Sequence, residues 1–122
     1  PETPAKVPVV RTADGHTMIE SDIIAEYLSE RFPGRGSALM PSGAEERAQV
    51  RLFSALFDQT LLSVAFPLMR AEKEEVPKLL GALKGHLGTL DAFLRSRASE
   101  GGPFLRGALF SLAEVHAAPM LQ

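Results

Sequence analysis

The chain has 122 residues, 45% of them hydrophobic and 23% charged, which is the make-up of an ordinary globular unit and not of a disordered tail. A formal net charge of −2 with no basic stripe argues against nucleic-acid binding through phosphate neutralisation. The absence of cysteine excludes disulfides and thiolate metal sites, and the apolar runs, broken at Ser63 and Pro67, are too short to span a bilayer.

Residues 1–5 carry two prolines and read as irregular. Val7, Val9 and Val10 suit a half-buried strand. Asp14-Gly15 then supplies a hairpin turn, because glycine accepts the positive φ such turns need. Thr17-Met18-Ile19 returns as a second strand, and Ser21 follows as a helix N-cap. Ile23, Ile24, Tyr27, Leu28 and Phe32 recur at helical spacing, with Asp22, Glu26, Ser29 and Glu30 on the other side. This order puts an acid and a hydroxyl, Glu20 and Ser21, where a strand edge meets a helix N-terminus. Free N–H groups and the positive dipole end there can receive a carboxylate, and Glu20 can hold an ammonium group. An α-amino acid or a γ-glutamyl peptide carries both groups. On the residues alone this signal is weak, and a plain N-cap is the more ordinary reading of Ser21.

Pro33-Gly34 ends this helix, and Arg35 reads as a solvated loop charge. Leu39-Met40-Pro41 anchors a linker. A second helix is expected over 44–69, favoured at its start by Glu45 and Glu46. Its apolar stripe is Val50, Phe53, Phe57, Leu61, Val64 and Leu68, widened by Leu52 and Leu56, with Arg47, Arg51, Ser54 and Asp58 opposite. Pro67 should kink or end it. A third helix is expected over 76–97, with Glu72, Glu74 and Glu75 solvated at its start and Pro77 in its first turn. Val76, Leu80, Leu83, Leu87, Leu90 and Leu94 form its seam. Gly81, Gly85 and Gly88 signal either a close backbone approach or a tolerated weakness. A loop over 100–103 leads to Phe104-Leu105 and a turn at Gly107. Ser111 and Glu114 then form a capping box, with Phe110 and Val115 placed for a hydrophobic staple. Pro119 interrupts the last helix.

The run V-P-V, then D-G, then E-S-D-I-I-A-E-Y-L resembles the second half of the N-terminal domain of glutathione transferases. The remainder is similar to the first part of that family's helical second domain, whose helix-start motif usually has Asp where Glu114 stands. The resemblance implies an α+β fold: a partial thioredoxin-like unit of hairpin plus helix over 1–36, a linker over 37–42, and an incomplete all-α bundle over 43–122. It implies that Pro8 is cis, that the Val7 backbone meets the cysteinyl part of glutathione, and that Glu20 and Ser21 bind its γ-glutamyl end. Glutathione is then the co-substrate, and a small electrophilic or oxidised molecule the second substrate. A homodimer and a role in detoxification are also implied. A cytoplasmic setting is the default expectation, and charge and hydropathy leave no nucleic acid or membrane as partner.

The chemical centre is not among these residues. The family stabilises the glutathione thiolate, the reactive form, with a Tyr, Ser or Cys that would lie upstream of Pro1. The chain accordingly reads as a stretch of a longer protein, inactive by itself. Tyr27 sits on an apolar helix face and reads as core. His16, His86 and His116 lack ligand spacing, so no metal site is expected. Gly34-Arg35-Gly36 lacks the pattern of a phosphate loop. The alternative to an enzyme is a non-catalytic module of the same fold serving as a scaffold in a larger assembly.

Overall fold

The computed structural model describes residues 7–97 and 101–121. The irregular run expected over 1–5, Glu100 of the loop and the terminal Gln122 lie outside them. β1 (Val9–Arg11) and β2 (Thr17–Ile19) form an antiparallel pair, with Val9 opposite Ile19, Val10 opposite Met18 and Arg11 opposite Thr17. The turn closes as expected. Gly15 takes φ 91°, and the Thr12 N–H donates to the His16 carbonyl at 2.9 Å. Val7 falls outside the strand and is 92% exposed, because Pro8 has no N–H with which to extend the ladder. The Val7–Pro8 peptide is cis, as the resemblance implies.

α1 (Ser21–Arg31) follows directly, and a loop leads to α2 (Ala44–Phe57). α2 runs into a π-helical segment, Asp58–Leu62, and then α3 (Ser63–Leu68). The expected helix over 44–69 is thus continuous in path but carries a wide turn that periodicity does not announce. Hydroxyls are bonded within and beside that turn: Thr60 Oγ1 donates to the Leu56 carbonyl at 2.5 Å, and Ser63 Oγ to the Thr60 carbonyl at 2.8 Å. The helix stops one residue past Pro67. Val50, Phe53, Phe57, Leu61 and Val64 are buried as the stripe predicts, but Leu52 is 44% exposed and does not widen it. Val50 and Phe57 are each only 1% exposed, and burial of such a side chain stabilises by about 1.5–3 kcal/mol.

α4 (Val76–Arg95) packs along α3 and the π-helical segment, with Pro77 in its first turn. Its seam differs from the expected one. Val76, Leu83 and Leu90 face inward, but their companions are Leu79, His86 and Phe93, while Leu80, Leu87 and Leu94 are exposed. Both registers alternate steps of three and four. Phe93 selects between them by setting its ring 6.2 Å from that of Phe53. Beyond the helix's own backbone and each glycine's chain neighbours, no described atom lies within 4 Å of where a Cβ would stand on Gly81, Gly85 or Gly88, so among the described residues no other backbone approaches them closely. Close approach does occur at Gly102, where an added Cβ would stand 2.3 Å from the Gly107 carbonyl carbon.

α5 (Leu112–Ala117) begins with the predicted capping box and gives way to a 3-10 turn, Ala118–Met120, around Pro119. Ser111 is fully buried. Its Oγ accepts the Ala113 N–H at 3.3 Å, and the Glu114 carboxylate accepts the Ser111 N–H at 2.8 Å. The other Glu114 oxygen takes the Leu105 N–H at 2.7 Å, so the cap also fastens the preceding loop. The loop before α2 is held by the Leu112 N–H, which donates to the Leu39 carbonyl at 3.0 Å. Phe110 sets its ring edge-on to Phe104 at 5.4 Å, and Phe110 and Val115 both stay more than a third exposed, so the expected staple buries little. The core gathers Met40, Phe53, Phe57, Leu61, Leu90, Leu105 and Leu112 between α2, α4 and α5. No helix among the described residues is long and apolar enough to cross a membrane.

The caps and glycines set three stability outcomes. Ser111→Ala removes the cap bond from the Ala113 N–H and the hydroxyl's own bond to Glu114, and should cost about 1–2 kcal/mol. Glu114→Ala strands two backbone N–H groups and should cost about 2–4 kcal/mol in the same urea titration. Gly85→Ala meets open space in a helix interior and should stabilise by about 0.5–1 kcal/mol.

Candidate functional site

The hairpin register sets the site. Val9 and Ile19 are the last paired residues, so Pro8 and Glu20 stand one step beyond them on neighbouring strand ends. The chain must turn sharply there from strand into helix, and Glu20 absorbs the turn with φ 70° and ψ 119°. It is the one non-glycine residue with positive φ among the described residues. Such a conformation costs on the order of 1–3 kcal/mol and is held only by its surroundings.

Ser21 is not the N-cap that its residue type predicts. Glu20 occupies that position, its carbonyl accepting the Ile24 N–H at 3.0 Å, and Ser21 is the first helical residue. The bend at Glu20 moves the boundary back by one residue. No side chain caps α1, so the Ser21 hydroxyl is not spent on a cap and the first-turn N–H groups keep their outward direction. Glu20, Ser21, Val7 and Pro8 are all exposed. The junction thus offers a carboxylate, a hydroxyl, helix-terminal N–H donors and a nearby open strand end.

Polar side chains hold this junction to the helical body. The His116 ring, with 11% side-chain exposure, places Nδ1 2.6 Å from Asp22 Oδ1 and Nε2 2.8 Å from Asp58 Oδ1. Each ring nitrogen thus faces a carboxylate oxygen within hydrogen-bond distance. These three side chains are metal-capable types in proximity. Each carboxylate, however, meets a different ring nitrogen, and the two nitrogens point in divergent directions, so the arrangement is a hydrogen-bonded clamp. Further along α1, Arg47 donates to Glu26 at 3.3 Å and to Glu30 at 2.7 Å, and Arg51 binds both oxygens of Glu26. That hydrogen bond to Glu26 raises the Arg51 guanidinium above its ordinary range, against a smaller opposing effect of burial.

A cavity of about 600 Å³ opens beside the junction. Ser21, Asp22, Asp58 and His116 contribute polar wall, and Met40, Val50, Leu62 and Leu112 contribute apolar wall. A larger hollow of about 750 Å³ lies under the 32–40 loop and contains none of the predicted site residues. Tyr27 is half-buried, and His16 is an exposed turn residue 3.4 Å from Asp14.

The clamp carried no local sequence signal, since its members are 94 and 58 residues from His116. The Arg–Glu network did carry one. Glu26 and Glu30 are like charges four apart on one helix, and Arg47 and Arg51 are like charges four apart on another. Each pair repels itself, and the two relieve each other when their helices meet.

No family model matches the chain. It is 33% identical over 97 residues to glutathione transferase GST 23 of Zea mays, an alignment covering 80% of this chain and 43% of that protein. It superposes on TDR1 of Leishmania, described as a unique trimeric glutathione transferase, with a TM-score of 0.76 and 26% identity, over 95% of this chain and 25% of that one. It also superposes on a glutathione S-transferase of Methylobacillus flagellatus solved with glutathione bound, with a TM-score of 0.67 and 26% identity, over 95% of this chain and 57% of that one. The chain spans less than half the length of the curated relatives it matches.

Glu26 is the hub of the network, and neutralising it removes two guanidinium partners at once. Glu26→Gln should cost about 1 kcal/mol in 0.05 M salt, and the difference from the parent should shrink at 1 M salt in parallel denaturation curves.

Proposed function

This chain belongs to the glutathione transferase family, and from that premise we propose that it supplies the γ-glutamyl-binding part of a glutathione site. Glu20 takes the ammonium group of the γ-glutamyl end. The Ser21 hydroxyl and the first-turn N–H groups of α1 take its carboxylate, which the helix dipole favours. The Val7 backbone, beside Pro8, takes the cysteinyl part in strand-like pairing. The observation that carries this reading is the bend at Glu20: a costly backbone conformation exposes an acid and leaves a serine hydroxyl uncommitted at one helix start. The bound glutathione in the Methylobacillus flagellatus relative supports the same ligand here.

In this reading, residues 1–36 form the second half of a thioredoxin-like unit, 37–42 the linker, and 43–122 the first part of the helical domain. The side chain that stabilises the glutathione thiolate lies upstream of Pro1 in the parent protein. That protein conjugates the thiol to a small electrophile or uses it to reduce an oxidised substrate. It assembles as a homodimer, a state that sedimentation distinguishes from the trimer of the Leishmania relative.

Titration calorimetry of the full-length protein with glutathione tests the site. Glu20→Ala should weaken binding by about 1.5–3 kcal/mol, the scale of a hydrogen bond to a charged group, or about ten- to a hundredfold in Kd. An unchanged Kd would remove Glu20 from the site.

A further inference from the structure

We infer that His116 is a positioning residue for the Glu20–Ser21 junction, an inference that rests on the glutathione-binding reading above. Asp22 follows Ser21 directly and lies in the first turn of α1. Among the described residues, its bond to His116 is the side-chain hydrogen bond that reaches this turn. The ties through Glu26 and Glu30 attach one and two turns further on. Removing the His116 contact therefore removes the polar tie at the site end of α1, where Ile24 still packs, and leaves the ties of its far end in place.

The ring is itself fixed on several sides. Phe57 meets it edge-on at 5.5 Å, with 79° between the ring planes. Asp58, which holds the opposite nitrogen, opens the π-helical segment, so the wide turn in the long helix sets where this carboxylate stands. α5, which carries His116, is anchored by its capping box and by the Leu112–Leu39 backbone bond. The charged groups lining the cavity around the ring are Asp22, Asp58, Glu26 and Arg51. His116 thus relays the position of the helical body to the turn that carries Ser21.

The two ring nitrogens can be tested separately. An Asn amide places its N–H₂ near the position of Nδ1, and a Gln amide places its own near Nε2. His116→Asn keeps the arm to Asp22, and His116→Gln keeps only the arm to Asp58. In the full-length protein, His116→Gln should weaken glutathione binding at least about fivefold. It should also speed amide exchange in the first turn of α1 at least about tenfold, with exchange in α4 unchanged. His116→Asn should stay within about twofold of the parent on both readouts. A role in general packing would move both variants alike, and equal behaviour or a worse Asn variant overturns the inference. Should the Gln variant fail to fold, Asp22→Ala removes the same arm, and unchanged exchange in the first turn of α1 there overturns it too. A parent protein that does not bind glutathione sinks the glutathione reading alone, because the exchange comparison decides the clamp without ligand.

Discussion

The seam between α1 and the helical body is closed by charge. Ile23 and Leu28 of α1 and Phe32 just past its end are 57%, 42% and 48% exposed, while the α1 acids Asp22, Glu26 and Glu30 reach across to His116, Arg47 and Arg51. Isolated exposed ion pairs contribute little, but here one carboxylate serves two guanidinium groups and one imidazole serves two carboxylates. Apolar contact supplies the rest through Ile24, which is buried, and Ala25, which packs on the core. The geometry of the junction at Glu20 follows from how this seam holds the helix beneath it.

That junction stores a cost. A strand that ends at Ile19 and a helix that starts at Ser21 leave one residue in which to change direction, and Glu20 makes the change in a backbone region that favours glycine. Glycine would adopt the conformation more cheaply but would bring no carboxylate. In the proposed reading, glutamate in this place, with an uncapped helix start beside it, serves the zwitterionic end of the ligand.

The helical body shows how nearly equivalent registers are resolved. On α4, the leucine series and the mixed series through Leu79, His86 and Phe93 have the same periodicity and share three residues. Hydrophobicity alone favours the leucines. The bulk of Phe93, seated against Phe53, rotates the helix the other way and leaves three leucines exposed. The wide turn over Asp58–Leu62 works similarly. Its hydroxyls at Thr60 and Ser63 are unremarkable in sequence, but they bond backbone carbonyls around a turn that keeps Leu61 and Val64 in the core.

Local chemistry made part of this protein readable from its residues. The hairpin turn at Gly15, the start of α4 at Pro77, the halt after Pro67 and the Ser111–Glu114 box each rest on interactions within a few residues, so sequence by itself determined them. The α+β order of elements was legible in the same way. Contacts between distant segments decided the remainder: which face of α4 is inward, which residue caps α1, and which partners Asp22, Glu26, Asp58 and His116 find. Those outcomes depend on long-range packing and on charges meeting across 17 to 94 residues of chain, and spacing along a single helix does not specify them.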